Sequence, residues 1–259
     1  MFADFCDAHD IPYTLSFGTL LGAVRHNGFI PWDDDVDVNM DVVAFRKFVR
    51  CFKRNPIPGL HLSWIDTDPE YPLYFAKLRR NGTFMPEEGT EEFDQHNGVW
   101  IDIFVYHGVP KNRYLFALQK KLYFFFATAS LIRVYEQTDR QNHSEFTYNR
   151  KYRWLAGLSR RSLSRLKKLL FFLYTHLGSR RSEYICYNDW RLTPKEKLPR
   201  SYEYPTIKHV FRDREFTIPR EYDASLTKEF GDYMVPKQYP MHTDLSRVDL
   251  GTPARHDPQ

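Results

Sequence analysis

Apolar and polar residues follow two rhythms along this chain. Asp35 to Met40, DVDVNM, alternates every second residue, as a half-buried strand does. Asp41 then offers a helix N-cap, and Val42, Phe45, Val49 and Phe52 recur behind it at helical spacing. Tyr13 to Phe17, YTLSF, predicts a short strand, with a small-residue turn and a short helix in GTLLGAVRH after it. Leu60 to Ile65, Tyr74 to Arg79 and Gly98 to Tyr106 predict three more strands, the last rich in β-branched and aromatic residues. Beyond Pro110 the rhythm lengthens. Tyr114 to Tyr135 and Leu163 to Leu177 predict long apolar helices, joined by a polar stretch from Glu136 to Arg150. Phe211 to Pro219 has a hairpin pattern, and Tyr222 to Phe230 predicts a helix closed by Gly231. The order predicts an α/β (α+β) fold. An α/β module is expected over 1–110, with a mainly helical part over 111–259 completing the same domain.

Composition adds a few bounds. With 42% hydrophobic and 17% aromatic residues the chain can bury a sizeable core. Its 3 cysteines are far apart, with no CxxC pair, so neither a disulfide framework nor a zinc knuckle is expected. A reducing, cytoplasmic setting fits that usage. The opening MFADFCDAHD has neither a basic nor an apolar signal region, so no signal peptide is expected. The longest near-continuous apolar run, Leu122 to Ile132, is short of the roughly 20 residues a span needs, so no transmembrane helix is expected.

Charge is more informative in its distribution than in its total of +4. Arg150 to Arg181 contains basic residues and no Asp or Glu, while the rest of the chain is net acidic. Within it Leu163, Leu166, Leu170 and Leu173 form a helical stripe beside Arg165, Lys167 and Lys168. Such a helix suits peripheral contact with an anionic membrane, with Phe171 and Phe172 dipping in. Packing of the same stripe on the N-terminal module is the competing expectation. The segment has no RRM, KH or helix-turn-helix signature, so no nucleic-acid partner is expected.

The candidate chemistry begins in IPWDDDVDV. Strand side chains two apart share a face, so Asp35 and Asp37 would point together, with Asp33 alongside if the strand starts early. Carboxylates within about 7 Å repel each other unless a cation lies between them. A hard divalent ion, Mg²⁺ or Mn²⁺, suits such oxygen ligands. An acidic surface turn would have a similar composition but not the alternation. Upstream, Gly18-Thr19 at a strand-to-helix turn could present backbone N–H groups and a hydroxyl to a phosphate, although neither a P-loop nor a Rossmann motif is present. Asp102, in VWIDIFV, is flanked by large apolar residues. Burying a carboxylate there requires a partner, so Asp102 is a candidate third ligand or general base, or else a structural or solvent-facing acid.

A small-residue turn, a DxD strand and a later isolated Asp together resemble the polymerase-β-like nucleotidyltransferase layout. The string FGTLLGAVRHNGFIPWDDDVDVNM resembles the LicD family, which includes the fukutin-type proteins. The resemblance continues in YFAKLRRNGT, HNGVWIDIF and FRDREFTIPREYDASLTKEFGDYM. It implies a transferase moving a phospho-alcohol from CDP-choline or another CDP-alcohol to a glycan hydroxyl, in lipopolysaccharide or teichoic acid. It further implies that Asp35 and Asp37 bind metal with help from Asp33. Gly18 and Thr19 would contact donor phosphates, and Arg25 and Lys77 would neutralise the diphosphate. Asp102 is the nominated base. A lipid-linked acceptor would place the enzyme at the inner face of the membrane. Two departures stand out: Phe17 replaces a small residue, often Gly, and Val105-Tyr106-His107 replaces Pro-Leu-Asp. The helix that precedes the first motif in the family is expected to be nearly missing. The rival activities are transfer of a nucleoside monophosphate to a small acceptor, and non-catalytic binding of a sugar nucleotide.

Overall fold

The computed structural model describes residues 1–68, 71–85, 96–140, 150–179, 181–188, 197–238 and 245–251. The polar joint expected before Arg150 falls largely outside them. A short helix, α1 (Phe2–Ala8), does precede the first motif. Next come β1 (Thr14–Leu15), α2 (Phe17–His26), β2 (Asp37–Asp41) and α3 (Val42–Arg54). The strands β3 (Leu60–Ser63), β4 (Ala76–Arg80) and β5 (Trp100–Gly108) lead into α4 (Arg113–Arg140). A 3-10 segment over Arg150–Gly157 precedes α5 (Arg160–His176), β6 (Tyr184–Asn188) and β7 (Leu198–Pro199). The hairpin β8 (Thr206–Phe211) and β9 (Arg214–Pro219) then precedes α6 (Tyr222–Phe230).

The central sheet runs β1-β2-β5-β4-β3, and β6 also pairs with β5 and carries β7. β5 organises it. Its neighbour β2 is parallel on one edge. Along the other edge β4 pairs with the first part of β5, and β6 pairs with its end, Val105 to Gly108. The C-terminal half therefore adds strands to the same sheet as the N-terminal half.

Alternation divides the sheet into two chemically different faces. Val38, Met40, Leu78, Ile103 and Val105 belong to one face and are buried. α3 is amphipathic and adds buried Phe45, Phe48 and Phe52 to this core. Asp41 caps it, accepting the Val43 N–H at 2.9 Å. α5 reaches the same core through Phe171, which meets Phe45 and Trp64 edge-on. The other face carries Asp37, Asn39 and Asp41 on β2 and Asp102, Phe104 and Tyr106 on β5.

On α5, three side-chain placements differ from those expected. Leu163 and Leu170 are buried as part of the core, whereas Leu173 is exposed. Lys167 is also inside, donating to the Tyr71 carbonyl at 2.7 Å, so it is not a surface charge. Phe171 is buried, leaving Phe172 as the exposed member of the pair expected to enter a membrane. The stripe packs on the molecule because helices bury their apolar faces against the nearest core. The exposed strip is instead Leu169, Phe172 and Leu173, alongside Arg161, Arg165 and Lys168. On α4, the stretch Arg113–Val134 is long and apolar enough to cross a membrane by length and composition. Lys120 and Lys121 interrupt its apolar run without removing that property. Half of the stretch is nevertheless buried in the fold, with Tyr123, Phe126 and Ile132 in the core.

Candidate active site

The register of the sheet lines up the charged groups. Asp37 on β2 sits directly opposite Asp102 on β5, and Asp102 sits opposite Lys77 on β4. All three are buried, and the Lys77 ammonium meets an Asp102 oxygen at 2.7 Å. The ammonium also lies over the Trp100 ring, 4.1 Å from its centroid, which supplies a further favourable contact for the cation. Asp35 lies in the turn just before β2. Its carboxylate and those of Asp37 and Asp102 approach within 4.8 Å of one another. Asp33, Asp34 and Asp35 form a second such group, half-buried, sharing Asp35 with the first. The strand begins at Asp37 rather than Asp35, so Asp33 joins Asp34 instead of the face of Asp37.

This crowding has a clear electrostatic signature. Burial, then the charges of Asp35, Asp102 and Asp33, push the Asp37 carboxyl well above the usual carboxylate range, against the opposing pull of Lys77. Ionising the whole group in this largely buried position is costly unless a cation neutralises it. The donor set is all oxygen, which fits a hard divalent ion such as Mg²⁺.

Helix α2 frames the site from the other side. The Thr19 hydroxyl accepts the Asp37 backbone N–H at 2.8 Å, so this buried side chain fixes the start of β2. Expected at the donor phosphates, Thr19 does not line the cavity above the site. A Cβ on Gly18 would come within 2.5 Å of an Asp33 oxygen, so glycine leaves the room that Asp33 occupies. Phe17, at the helix start, has φ +42, a left-handed conformation that glycine adopts far more readily. Its ring packs edge-on against Phe104 at 5.1 Å.

A cavity of about 650 Å³ opens over these groups. Gly18, Arg25, Asp33, Asp34, Asp35, Asp37 and Asp102 all contribute to its wall. That volume lies within the range usual for small-ligand sites. Lys77 and Thr19 do not line it and act through their neighbours Asp102 and Asp37. Arg25 lines it, but one N–H also donates to the Tyr233 carbonyl at 2.5 Å. It thereby ties down the end of α6 and the arm after it, which supply Glu229, Phe230, Asp232, Tyr233 and Lys237 to the same cavity. Trp32 donates its indole N–H to the Lys237 carbonyl at 3.2 Å, a second tie.

The structure thus brings Asp35, Asp37 and Asp102 together, with Gly18, Arg25 and Asp33 around them. Sequence reasoning missed Asp34, the aromatic wall and the acids of the arm. A signal for the last was present in EFGDYM, where acids and aromatics flank a glycine, but nothing in the sequence says which cavity they reach.

A carboxylate row at the head of parallel strands, faced by a helix start across a ligand-sized cavity, suits a nucleotidyltransferase-type domain. Comparison with known proteins agrees. Residues 10–126 match the model of the LicD/FKTN/FKRP nucleotidyltransferase domain. Lipopolysaccharide cholinephosphotransferase LicD of Haemophilus influenzae is 29% identical over 245 residues, covering 90% of this chain and 86% of that protein. Shorter matches join the chain to uncharacterized rickettsial proteins. One in Rickettsia typhi is 45% identical over 49 residues, 18% of this chain and 16% of that protein. One in Rickettsia prowazekii is 56% identical over 32 residues, 12% of each. Over most of its length the chain is thus similar to a LicD protein, with a LicD-type nucleotidyltransferase match over residues 10–126.

Proposed function

We propose that this protein transfers phosphocholine from a CDP-activated donor to a hydroxyl of a cell-surface glycan, using Mg²⁺ or Mn²⁺ held by Asp35, Asp37 and Asp102. The observation that carries this reading is the paired placement of Asp37 and Asp102, with Asp35 at ligand distance, on the wall of the cavity. The similarity to the Haemophilus influenzae cholinephosphotransferase supports the choice of phospho-alcohol and acceptor.

The cation would offset negative charge on the donor's diphosphate. The chain's own residues prepare the rest. Lys77 holds Asp102 by an ion pair, which favours a ligand role for Asp102 over that of a general base. Thr19 fixes the backbone of Asp37. Arg25, Lys237 and the start of α2 supply positive charge and N–H groups for phosphate oxygens. The acceptor oxygen then bonds to the phosphorus distal to the nucleoside, the bond from that phosphorus to the CMP oxygen breaks, and the hydroxyl's proton passes to solvent. A lipid-linked acceptor would bring the protein to the cytoplasmic face of a membrane, where the basic and apolar strip of α5 offers a contact.

The test is incubation with Mg²⁺, an acceptor glycan and a panel of CDP-alcohols, scoring CMP. CDP-choline should release CMP, and EDTA should abolish the release. Asp37→Asn should lower turnover by about 10³-fold or more, the scale of a lost metal contribution. A nucleotide-modified acceptor would point to the rival nucleotidyltransferase. Full activity in EDTA would remove the metal from the reading.

A further inference from the structure

Seven acidic side chains line the cavity, and the two oxygen clusters account for Asp33, Asp34, Asp35, Asp37 and Asp102. Glu229 and Asp232 belong to neither. Glu229 stands in the last turn of α6 and Asp232 on the arm after it, next to Phe230 and Tyr233, and Trp32 lines the same cavity. Phosphates do not account for these acids, because carboxylates repel them. A stacked nucleobase accounts for rings but not for negative charge. A cation bearing methyl groups in place of N–H donors calls for both: aromatic faces to contact the methyls and carboxylates to balance the charge.

We propose that Trp32, Phe230 and Tyr233, with Glu229 and Asp232, form a subsite for the donor's quaternary ammonium group, an inference that rests on the phosphocholine reading above. The polar edges of the rings are already engaged. The Trp32 indole N–H donates to the Lys237 carbonyl at 3.2 Å, and the Tyr233 hydroxyl donates to Asp223 at 2.6 Å. What each ring has left to offer a ligand is its face. Gly231, at φ +69, turns the chain after the helix so that residues on both sides of it reach the cavity. The Arg25 bond to the Tyr233 carbonyl holds that turn in place. Arg25 and Lys237, the basic residues of this wall, are matched instead to the donor's phosphates. The subsite selects choline over alcohols of similar size that lack a charge.

The test compares CDP-choline with its uncharged isostere, the CDP ester of 3,3-dimethylbutanol. Both calorimetric binding and CMP release are measured on the full chain. The wild type should prefer CDP-choline by at least about tenfold, the scale of a desolvated cation–aromatic contact. Trp32→Leu should erase most of that preference. Glu229 and Asp232 are exposed, so the paired Glu229→Gln and Asp232→Asn variant should remain folded and also reduce the ratio. A wild-type ratio near one, or a ratio unmoved in the folded acid variant, overturns the subsite. CMP release without discrimination leaves the transfer reading standing and removes the subsite. Discriminating binding without CMP release keeps the subsite and removes the transfer. Binding of neither compound removes both.

Discussion

Glu203 lies inside the molecule with the Thr14 hydroxyl, the Asn39 amide and the Tyr187 hydroxyl all donating to it, the last two at 2.8 and 2.6 Å. Burial pushes its carboxyl up to about 7, although the three donors pull the other way. Between 4.5 and about 7 the folded chain therefore holds a proton that the unfolded chain has released. The stability linked to that proton is fully present below 4.5 and is lost as pH rises through about 7. A tenfold difference in proton affinity between the folded and unfolded chain corresponds to about 1.4 kcal/mol, so the window is worth a few kcal/mol at most. Replacing Glu203 by Gln should flatten the slope relative to the wild type in denaturant titrations across this window. Parallel slopes in the two proteins would contradict the assignment. At this scale the sequence was informative about one kind of residue. Asp35, Asp37 and Asp102 were visible because carboxylates amid apolar strand residues require partners. The Lys77–Asp102 pair was hidden, since nothing local specifies which residues of β4 and β5 face each other. The Thr19 contact was hidden for a similar reason: its hydroxyl meets a backbone N–H that only tertiary structure brings near.

Among the elements, α2 and the acidic turn before β2 are fitted to each other through Gly18. Substituting Ala there would favour the helix by about 1 kcal/mol on propensity alone. The new methyl, however, would stand 2.5 Å from an Asp33 carboxylate oxygen, forcing that side chain out of its place in the site. Gly18→Ala should therefore lower kcat/KM by about tenfold or more while leaving the melting temperature within a few degrees, since a 1 Å misplacement at a reacting centre can cost about 10²-fold. Unchanged kinetics would show that the turn yields freely. Helices and strands with strong periodicity were legible, as α3 and β5 show. The boundaries and faces were less so. β2 starts at Asp37 because the acidic turn occupies the residues before it. α5 turns its leucine stripe inward except at Leu173, and buried Lys167 and Phe171 take places in the core that a binary pattern cannot assign.

The molecule as a whole offers solvent an uneven surface. α5 exposes Leu169, Phe172 and Leu173 beside Arg161, Arg165 and Lys168, the last paired with Asp66 at 3.1 Å. Each basic group near an anionic bilayer contributes about 1 kcal/mol, and the exposed apolar side chains add burial. Co-sedimentation with anionic vesicles should be strong at low salt and weak at high salt, and should fall when Arg160, Arg161, Arg165 and Lys168 become Gln. Binding that ignores salt or these substitutions would remove the membrane from the picture. The sequence separated a catalytic front half from a helical rear half, and the front half does hold the acidic cluster. It did not reveal that β6 shares β5 with β4, because strand pairing across so long a separation leaves no local trace. The arm that Arg25 and Trp32 fasten across the cavity also imposes an order in time. Synthesis runs from the N-terminus, so a growing chain displays its carboxylates well before the ribosome has made the aromatic wall that faces them. A nascent protein at that stage has reactive groups with no enclosure for a donor. Activity is thereby postponed until translation has passed the last residue of the wall.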